Sequence, residues 1–137
     1  MSEALNGFLK TERGRKIERV ELIGYSGGGA LSVLLADQVK GISKVVTLAG
    51  NLDHKAWTES FGYLPLFQSL NPIRDARLGK LPALHIAGAD DENIKPEIIK
   101  SFVAKHGGEL VLLEGVDHNC CWLEYWPELL TRIERLH

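Results

Sequence analysis

Val20-Glu21-Leu22-Ile23-Gly24-Tyr25-Ser26-Gly27-Gly28-Gly29-Ala30 is the stretch from which the rest of the chain can be read. A short β-prone run ends in Gly24-Tyr25-Ser26-Gly27-Gly28 and an apolar run rich in Ala and Leu follows at once, which places Gly-x-Ser-x-Gly between a strand and a helix. That spacing puts a serine on a sharp, strained turn, pushed out of the sheet toward solvent. Gly24 and Gly28 are expected to keep Cβ atoms out of a close strand–helix crossing. The helix that begins after Ser26 would aim its backbone N–H groups and positive dipole end at any negative charge developing beside the hydroxyl. The Gly27 N–H would be one oxyanion-hole donor. Without that context the same letters describe a Gly-rich turn with a solvated serine.

The flanking sequence extends the pattern. Residues 30–36 are apolar on nearly every face, which predicts a helix covered on both sides and ended by Lys40-Gly41. Lys44-Val45-Val46-Thr47-Leu48-Ala49 reads as a second strand, continuous enough to be buried on both faces. Upstream, Leu5, Phe8 and Leu9 recur at helical spacing within residues 3–12, before the polar loop Thr11–Lys16. Downstream, Leu81–Gly88 is a third strand with Pro82 near its start. Pro96 opens a helix with Ile98, Ile99, Phe102 and Val103 on one face and Gly107 as its stop. Glu109–Leu113 is a fourth strand, and Pro127 opens a last helix with Leu129, Leu130, Ile133 and Leu136 facing inward. This alternation predicts an α/β fold, a parallel sheet of about four strands flanked by helices, in one domain over residues 1–137. Residues 50–80 lack periodicity yet carry Trp57, Phe61, Tyr63, Leu64, Leu66 and Phe67. A connection this long and aromatic is either a lid or pocket wall, or a plug at the end of the core.

Composition excludes several classes of function. The chain has 137 residues, 45% hydrophobic and 25% charged, with a net charge of −2. No Lys/Arg cluster points to nucleic acid, no apolar stretch approaches a membrane span, and the N-terminus lacks a signal-peptide pattern. Cys120 and Cys121 are adjacent, poor partners for a disulfide by the usual geometry. A reduced, cytoplasmic chain is therefore expected. His118, Cys120 and Cys121 lack metal-finger spacing, so neither a metal nor an organic cofactor is expected.

In a parallel sheet the chemistry gathers in the loops beyond the carboxyl ends of the strands. Those loops carry Ser26 after the first strand, Asp90 and Asp91 after the third, and His118 after the fourth. Serine, acid, histidine in that order, together with Gly24–Gly28, Leu84-His85-Ile86-Ala87-Gly88-Ala89-Asp90-Asp91 and Gly115-Val116-Asp117-His118 followed by Trp122 and Trp126, resembles the C-terminal portion of an α/β-hydrolase. The resemblance covers essentially all residues present. It implies a serine hydrolase of the esterase, lipase or thioesterase type, acting on small-molecule carboxylic esters or thioesters with Ser26 as nucleophile and His118 as base. The family's acid lies three residues past the strand-ending glycine, which selects Asp91 over Asp90. Asp53, after the second strand, is an outside candidate. Haloperoxidase-like or C–C hydrolase chemistry would use the same three residues.

Tyr25, His54 and Trp57 are candidate substrate contacts. His85, within a strand, and His106, at a helix end, read as structural. Trp122, Tyr125 and Trp126 read as helix-docking residues, and Asp117 as solvent-facing. One departure from the family is large: no His-Gly-Gly-type loop precedes Ser26, and losing one oxyanion donor costs about 10²–10³ in rate. The strand at 19–25, central in the family, also becomes a sheet edge with unpaired backbone groups. Three accounts follow: an absent upstream portion, a short protein that covers the edge by homodimerising through residues 19–25, or a non-catalytic interaction module.

Overall fold

A parallel strand buried on both faces needs helices above and below it, and the chain supplies them. The computed structural model describes residues 1–137, and its elements are α1 (Ser2–Leu9), a short 3₁₀ turn (Gly14–Lys16), β1 (Val20–Tyr25), α2 (Gly27–Leu35), β2 (Ile42–Leu48), α3 (His54–Phe61), α4 (Pro72–Asp75), β3 (Ala83–Gly88), α5 (Pro96–His106), β4 (Glu109–Leu113) and α6 (Trp122–Arg135). The strands lie in the order β1-β2-β3-β4 and every neighbouring pair is parallel. Leu22 stands opposite Val45, Val46 opposite Leu84, and Ile86 opposite Val111. No helix is long and apolar enough to cross a membrane.

Alternation along the strands divides the interior into two cores. Val45, Ala83 and Ala87 face one way and pack with Val33 of α2 and Ile98, Ile99 and Phe102 of α5. Val46, Leu48, Leu84 and Ile86 face the other way and pack with Leu129 and Ile133 of α6 and with Leu136 just beyond it. Lys44 ties α6 to the sheet. Its buried Nζ donates to the Ile133 carbonyl at 2.7 Å, where the end of a helix leaves carbonyls unpaired and favours positive charge. β1 is an outer strand that pairs only with β2, and on its outward face Ile23 and Tyr25 are 48% and 45% exposed.

Several expectations need correcting. α2 is covered over most but not all of its surface: it buries Gly29, Ala30, Ser32, Val33 and Leu35 and leaves Leu31 exposed. Pro127 does not open the last helix; α6 starts five residues earlier, at Trp122, and carries Pro127 inside it. The helical bond forgone is the one to Leu123, a residue on the exposed side of the helix, where water can replace it. Leu130 points outward, because only Leu129, Ile133 and Leu136 share the stripe that meets the sheet. Residues 50–80 hold two helices, α3 and α4, the first capped by Asp53 Oδ1, which accepts from the Lys55 and Ala56 N–H groups. From the last residue of α3 onward, residues 61–70 are all exposed, with Leu64 and Phe67 at 87% and 88%. Beyond them Pro72, Ala76 and Leu78 are buried, the last two in the α5-side core.

The glycines divide differently from expectation too. A Cβ at Gly24 would stand 2.2 Å from the Gly28 carbonyl oxygen, and one at Gly29 would stand 2.8 Å from the Gly50 Cα, whereas one at Gly28 meets nothing within 4 Å. Position 28 contributes its backbone to the crossing and position 29 the missing side chain. Gly24→Ala is therefore expected to cost at least the 1–3 kcal/mol typical of overpacking. Gly28→Ala should hold or gain stability, since alanine is the better helix former. Urea midpoints of the two variants check this, and equal losses would refute it.

His85 gives the fold a pH dependence. Its ring is fully buried, with Nδ1 2.9 Å from Thr47 Oγ1 and Nε2 without a partner. Burial, with the nearby His106 adding to it, lowers its pKa from 6.5 to about 4. The folded pKa is depressed, so the unfolded chain binds the proton first. Stability is whole above pH 6.5 and falls between pH 6.5 and about 4. The loss amounts to about 3 kcal/mol at 1.36 kcal/mol per unit. Unfolding free energies at pH 7.5 and 4.5 should show a smaller drop in His85→Gln than in the parent; equal drops would remove His85 as the cause.

Candidate active site

Ser26 follows β1 and precedes α2 with φ 53° and ψ −119°, a region that costs a non-glycine residue roughly 1–3 kcal/mol. The surroundings over-determine it. The Ser26 N–H donates to the Leu48 carbonyl at 2.9 Å, and the Ser26 carbonyl accepts from Gly29 at 3.0 Å and from Asn51 at 3.1 Å. The end of β2 thus holds the turn from one side and the first turn of α2 from the other. Gly27 is the first residue of α2, where an N–H has no acceptor within its own helix. The start of the helix therefore presents a donor beside the serine.

His118 lies in the loop between β4 and α6, and its Nε2 is 3.1 Å from Ser26 Oγ. Its Nδ1 is 2.8 Å from Asp91 Oδ2. With a carboxylate on Nδ1 the ring proton belongs there, leaving Nε2 free to accept from the serine hydroxyl. The Asp91 side chain is fully buried, which a carboxylate tolerates only when its oxygens are bonded. Oδ2 meets the imidazole, and Oδ1 accepts from the Asn93 and Ile94 N–H groups at 2.9 and 2.8 Å. The turn is anchored in the α5-side core by Ile94. The acid and histidine loops are docked on each other: the Asp90 N–H donates to the Val116 carbonyl at 3.1 Å, and a Cβ at Gly88 would meet that oxygen at 2.3 Å.

Tyr25 covers this pair. Its hydroxyl donates to the His118 carbonyl, its ring lies 5.1 Å from the imidazole, and Trp122 meets it edge-on at 6.1 Å. Burial raises the Tyr25 pKa, with the charges of Asp91 and Asp117 adding to the effect. Cys120 and Cys121 correct the expectation of a reduced pair, because a disulfide joins them. Their Cα atoms are 3.7 Å apart, closer than the usual range for bridged cysteines. For consecutive residues the requirement is instead a backbone turn that closes an eight-membered ring, and Cys121 supplies it in the left-handed region at φ 77°.

The other candidates lie elsewhere. Asp53 caps α3, and its Oδ1 also accepts from Asn71 Nδ2. Asp90 is exposed. His85 and His106 are structural, the second bonded through Nε2 to the Ile73 carbonyl at 2.9 Å. Asp117 is exposed but also accepts from the Asn119 and Cys120 N–H groups. His54 lines a cavity of about 250 Å³ with Leu66, Phe67, Asn71 and Arg74, and Ser26 is not among its walls. Burial lowers the His54 pKa, and its Nδ1 has no partner. Trp57 reaches the acid loop, where its Nε1 donates to Asn93 Oδ1 at 3.2 Å. No group of three or more His, Cys, Asp or Glu side chains is placed to hold a metal ion. Sequence reasoning missed Asn93 and Asn51. Asp91 followed by Asn93-Ile94 carries an Asx-turn signal; nothing local marks Asn51, whose N–H meets Ser26 only through the sheet.

No protein family and no curated protein matches the chain by sequence. Solved structures do match it. An α/β hydrolase from the metagenome of Mar Chica lagoon sediments superposes with a TM-score of 0.72 at 18% identity, over 98% of this chain and 68% of that one. The esterase domain of a Rhodothermus marinus protein gives 0.74 at 18%, over 97% and 66%, and a Pyrococcus furiosus esterase 0.72 at 19%, over 94% and 56%. The chain spans about three fifths to two thirds of the length of these proteins. It has the α/β-hydrolase fold, in part of that fold's extent.

Proposed function

We propose that the chain acts as a serine hydrolase on small-molecule carboxylic esters or thioesters, through an acyl-enzyme on Ser26. The single observation that carries this reading is the continuous hydrogen-bonded series from the strained Ser26, through both nitrogens of His118, to the buried Asp91. His118 Nε2 would take the hydroxyl proton as Oγ attacks the carbonyl, then return it to the leaving group, and the same cycle with water would release the acid. Asp91 would hold the proton-bearing Nδ1 and balance the imidazolium. The Gly27 N–H and the start of α2 would stabilise the oxyanion. Tyr25, against the imidazole, and Trp57, bonded to the acid loop, are proposed as substrate contacts, with His54 and the exposed apolar run 61–70 as a more distant wall. That the three compared structures are described as hydrolases or esterases supports the reaction class.

A second reading, an interaction module that keeps these residues without turnover, is favoured by the open outer edge of β1. The same edge supports pairing with a second copy through residues 19–25. Sedimentation should then show a concentration-dependent dimer that Ile23→Lys weakens; a stable monomer throughout would exclude it. Fluorophosphonate labelling followed by intact mass decides between enzyme and module. The parent should gain one adduct and Ser26→Ala none. Asp91→Asn should label about 10⁴ more slowly, the scale seen when a triad loses its carboxylate, while Asp90→Asn stays near the parent rate. Absence of any adduct on folded parent protein would favour the module.

A further inference from the structure

The turn after His118 is held by a frame of side chains. Asp117 Oδ1 accepts from the Asn119 and Cys120 N–H groups, each at 2.7 Å. Trp122 Nε1 donates to the Asp117 carbonyl at 3.0 Å, and Tyr25, which bonds the His118 carbonyl, packs against the Trp122 ring. The Cys120–Cys121 disulfide sits inside this frame, two and three residues beyond the catalytic-base candidate. Cys120 is exposed, and Cys121 is half-buried against the α6-side core as the residue from which α6 begins. Cys121 also takes a left-handed backbone, which an L-residue without glycine's freedom normally avoids. An eight-membered ring closed across one peptide bond restricts both residues to few conformations; two free thiols do not.

We propose that Cys120–Cys121 is a thiol–disulfide modification site that governs the Ser26 centre, with low-molecular-weight thiols and disulfides as its reactants. The proposal rests on the hydrolase reading above. A thiolate attacks the exposed Cys120 Sγ, the Cys120–Cys121 bond breaks, and the Cys121 thiolate leaves and takes a proton from water. A second thiol displaces the mixed disulfide, so that two small thiols become one small disulfide and the protein gains two thiols. The reverse sequence, driven by a small disulfide, closes the ring again. With the ring open, Cys121 relaxes out of the left-handed region. Trp122 then turns away from the Asp117 carbonyl, and the loop no longer holds His118 in one place over Ser26. The oxidised form is the aligned one, and reduction slows attack by roughly five- to thirtyfold, the population factor expected for releasing one residue from that backbone region.

The test uses the full chain, untreated or reduced with a phosphine. Thiols are counted by maleimide addition and intact mass, and the second-order rate of fluorophosphonate labelling is measured on each form. Untreated protein should take up no maleimide and label fast. Reduced protein should take up two, keep its circular dichroism spectrum and label five- to thirtyfold more slowly, and oxidised glutathione should restore the rate. The double variant Cys120→Ser/Cys121→Ser should label at the reduced rate with or without reductant. Equal labelling rates while the thiol count switches between none and two would overturn the proposal. So would two reactive thiols that persist after treatment with oxidised glutathione. Absence of labelling in every form would overturn the hydrolase reading first, and this inference with it.

Discussion

The Gly28 carbonyl oxygen lies 2.2 Å from where a Cβ at position 24 would stand, and the rest of the structure depends on that contact. Because β1 carries no side chain there, α2 can start against the last turn of the strand instead of beyond a spacer. The chain therefore reverses within one residue, and Ser26 takes up a backbone conformation that costs free energy. What offsets the strain is the sheet. Leu48 at the end of β2 and Asn51 just beyond it bond both backbone groups of Ser26, so the elbow is stable only while β1 and β2 stay in register. Pairing Gly24 with Thr47 and Tyr25 with Leu48 is thus a requirement of the site as well as of the fold.

The second requirement is electrostatic. Asp91 is buried in a position where an unbonded carboxylate would be prohibitively costly, and its two oxygens divide the work. One is satisfied by backbone N–H groups in its own loop, and the other is left to the imidazole. The arrangement fixes which ring nitrogen carries the proton, and so which one faces Ser26. Ile94 anchors the acid in the α5-side core, whereas Val116, two residues before His118, belongs to the α6-side core. Serine, acid and histidine come into line only when both sides of the sheet are packed.

Much of this was legible in the sequence, for identifiable reasons. Strands buried on both faces write themselves as continuous apolar runs, and Val45-Val46-Thr47-Leu48 and Ala83-Leu84-His85-Ile86 did so. The chain order of Ser26, Asp91 and His118 is a one-dimensional trace of where loops emerge from a parallel sheet. Position 29 was misread as position 28, because a Gly-Gly-Gly run does not reveal which residue faces the neighbouring backbone. Pro127 reads locally as a helix start, since local rules cannot see that α6 is held from Trp122 onward by the His118 loop. Cys120–Cys121 followed a rule about Cα separation that consecutive residues escape through backbone rotation. Each miss belongs to a contact whose partner is distant in sequence or whose geometry is set by one dihedral.

The two ends of the series are held very differently, and this bears on where control can act. Ser26 is fixed by main-chain bonds within the sheet, and Asp91 by main-chain bonds within a buried turn. Neither can shift without disturbing the fold. His118 has no comparable support from the sheet. Beyond the one main-chain bond from the Asp90 N–H to the Val116 carbonyl, its loop leans on side chains: the Tyr25 hydroxyl, the Trp122 indole and the Asp117 carboxylate. Side chains with one or two bonds each yield before a strand register does. The base is therefore the point at which a small chemical change nearby can alter the centre without unfolding the protein, and the disulfide stands at that point.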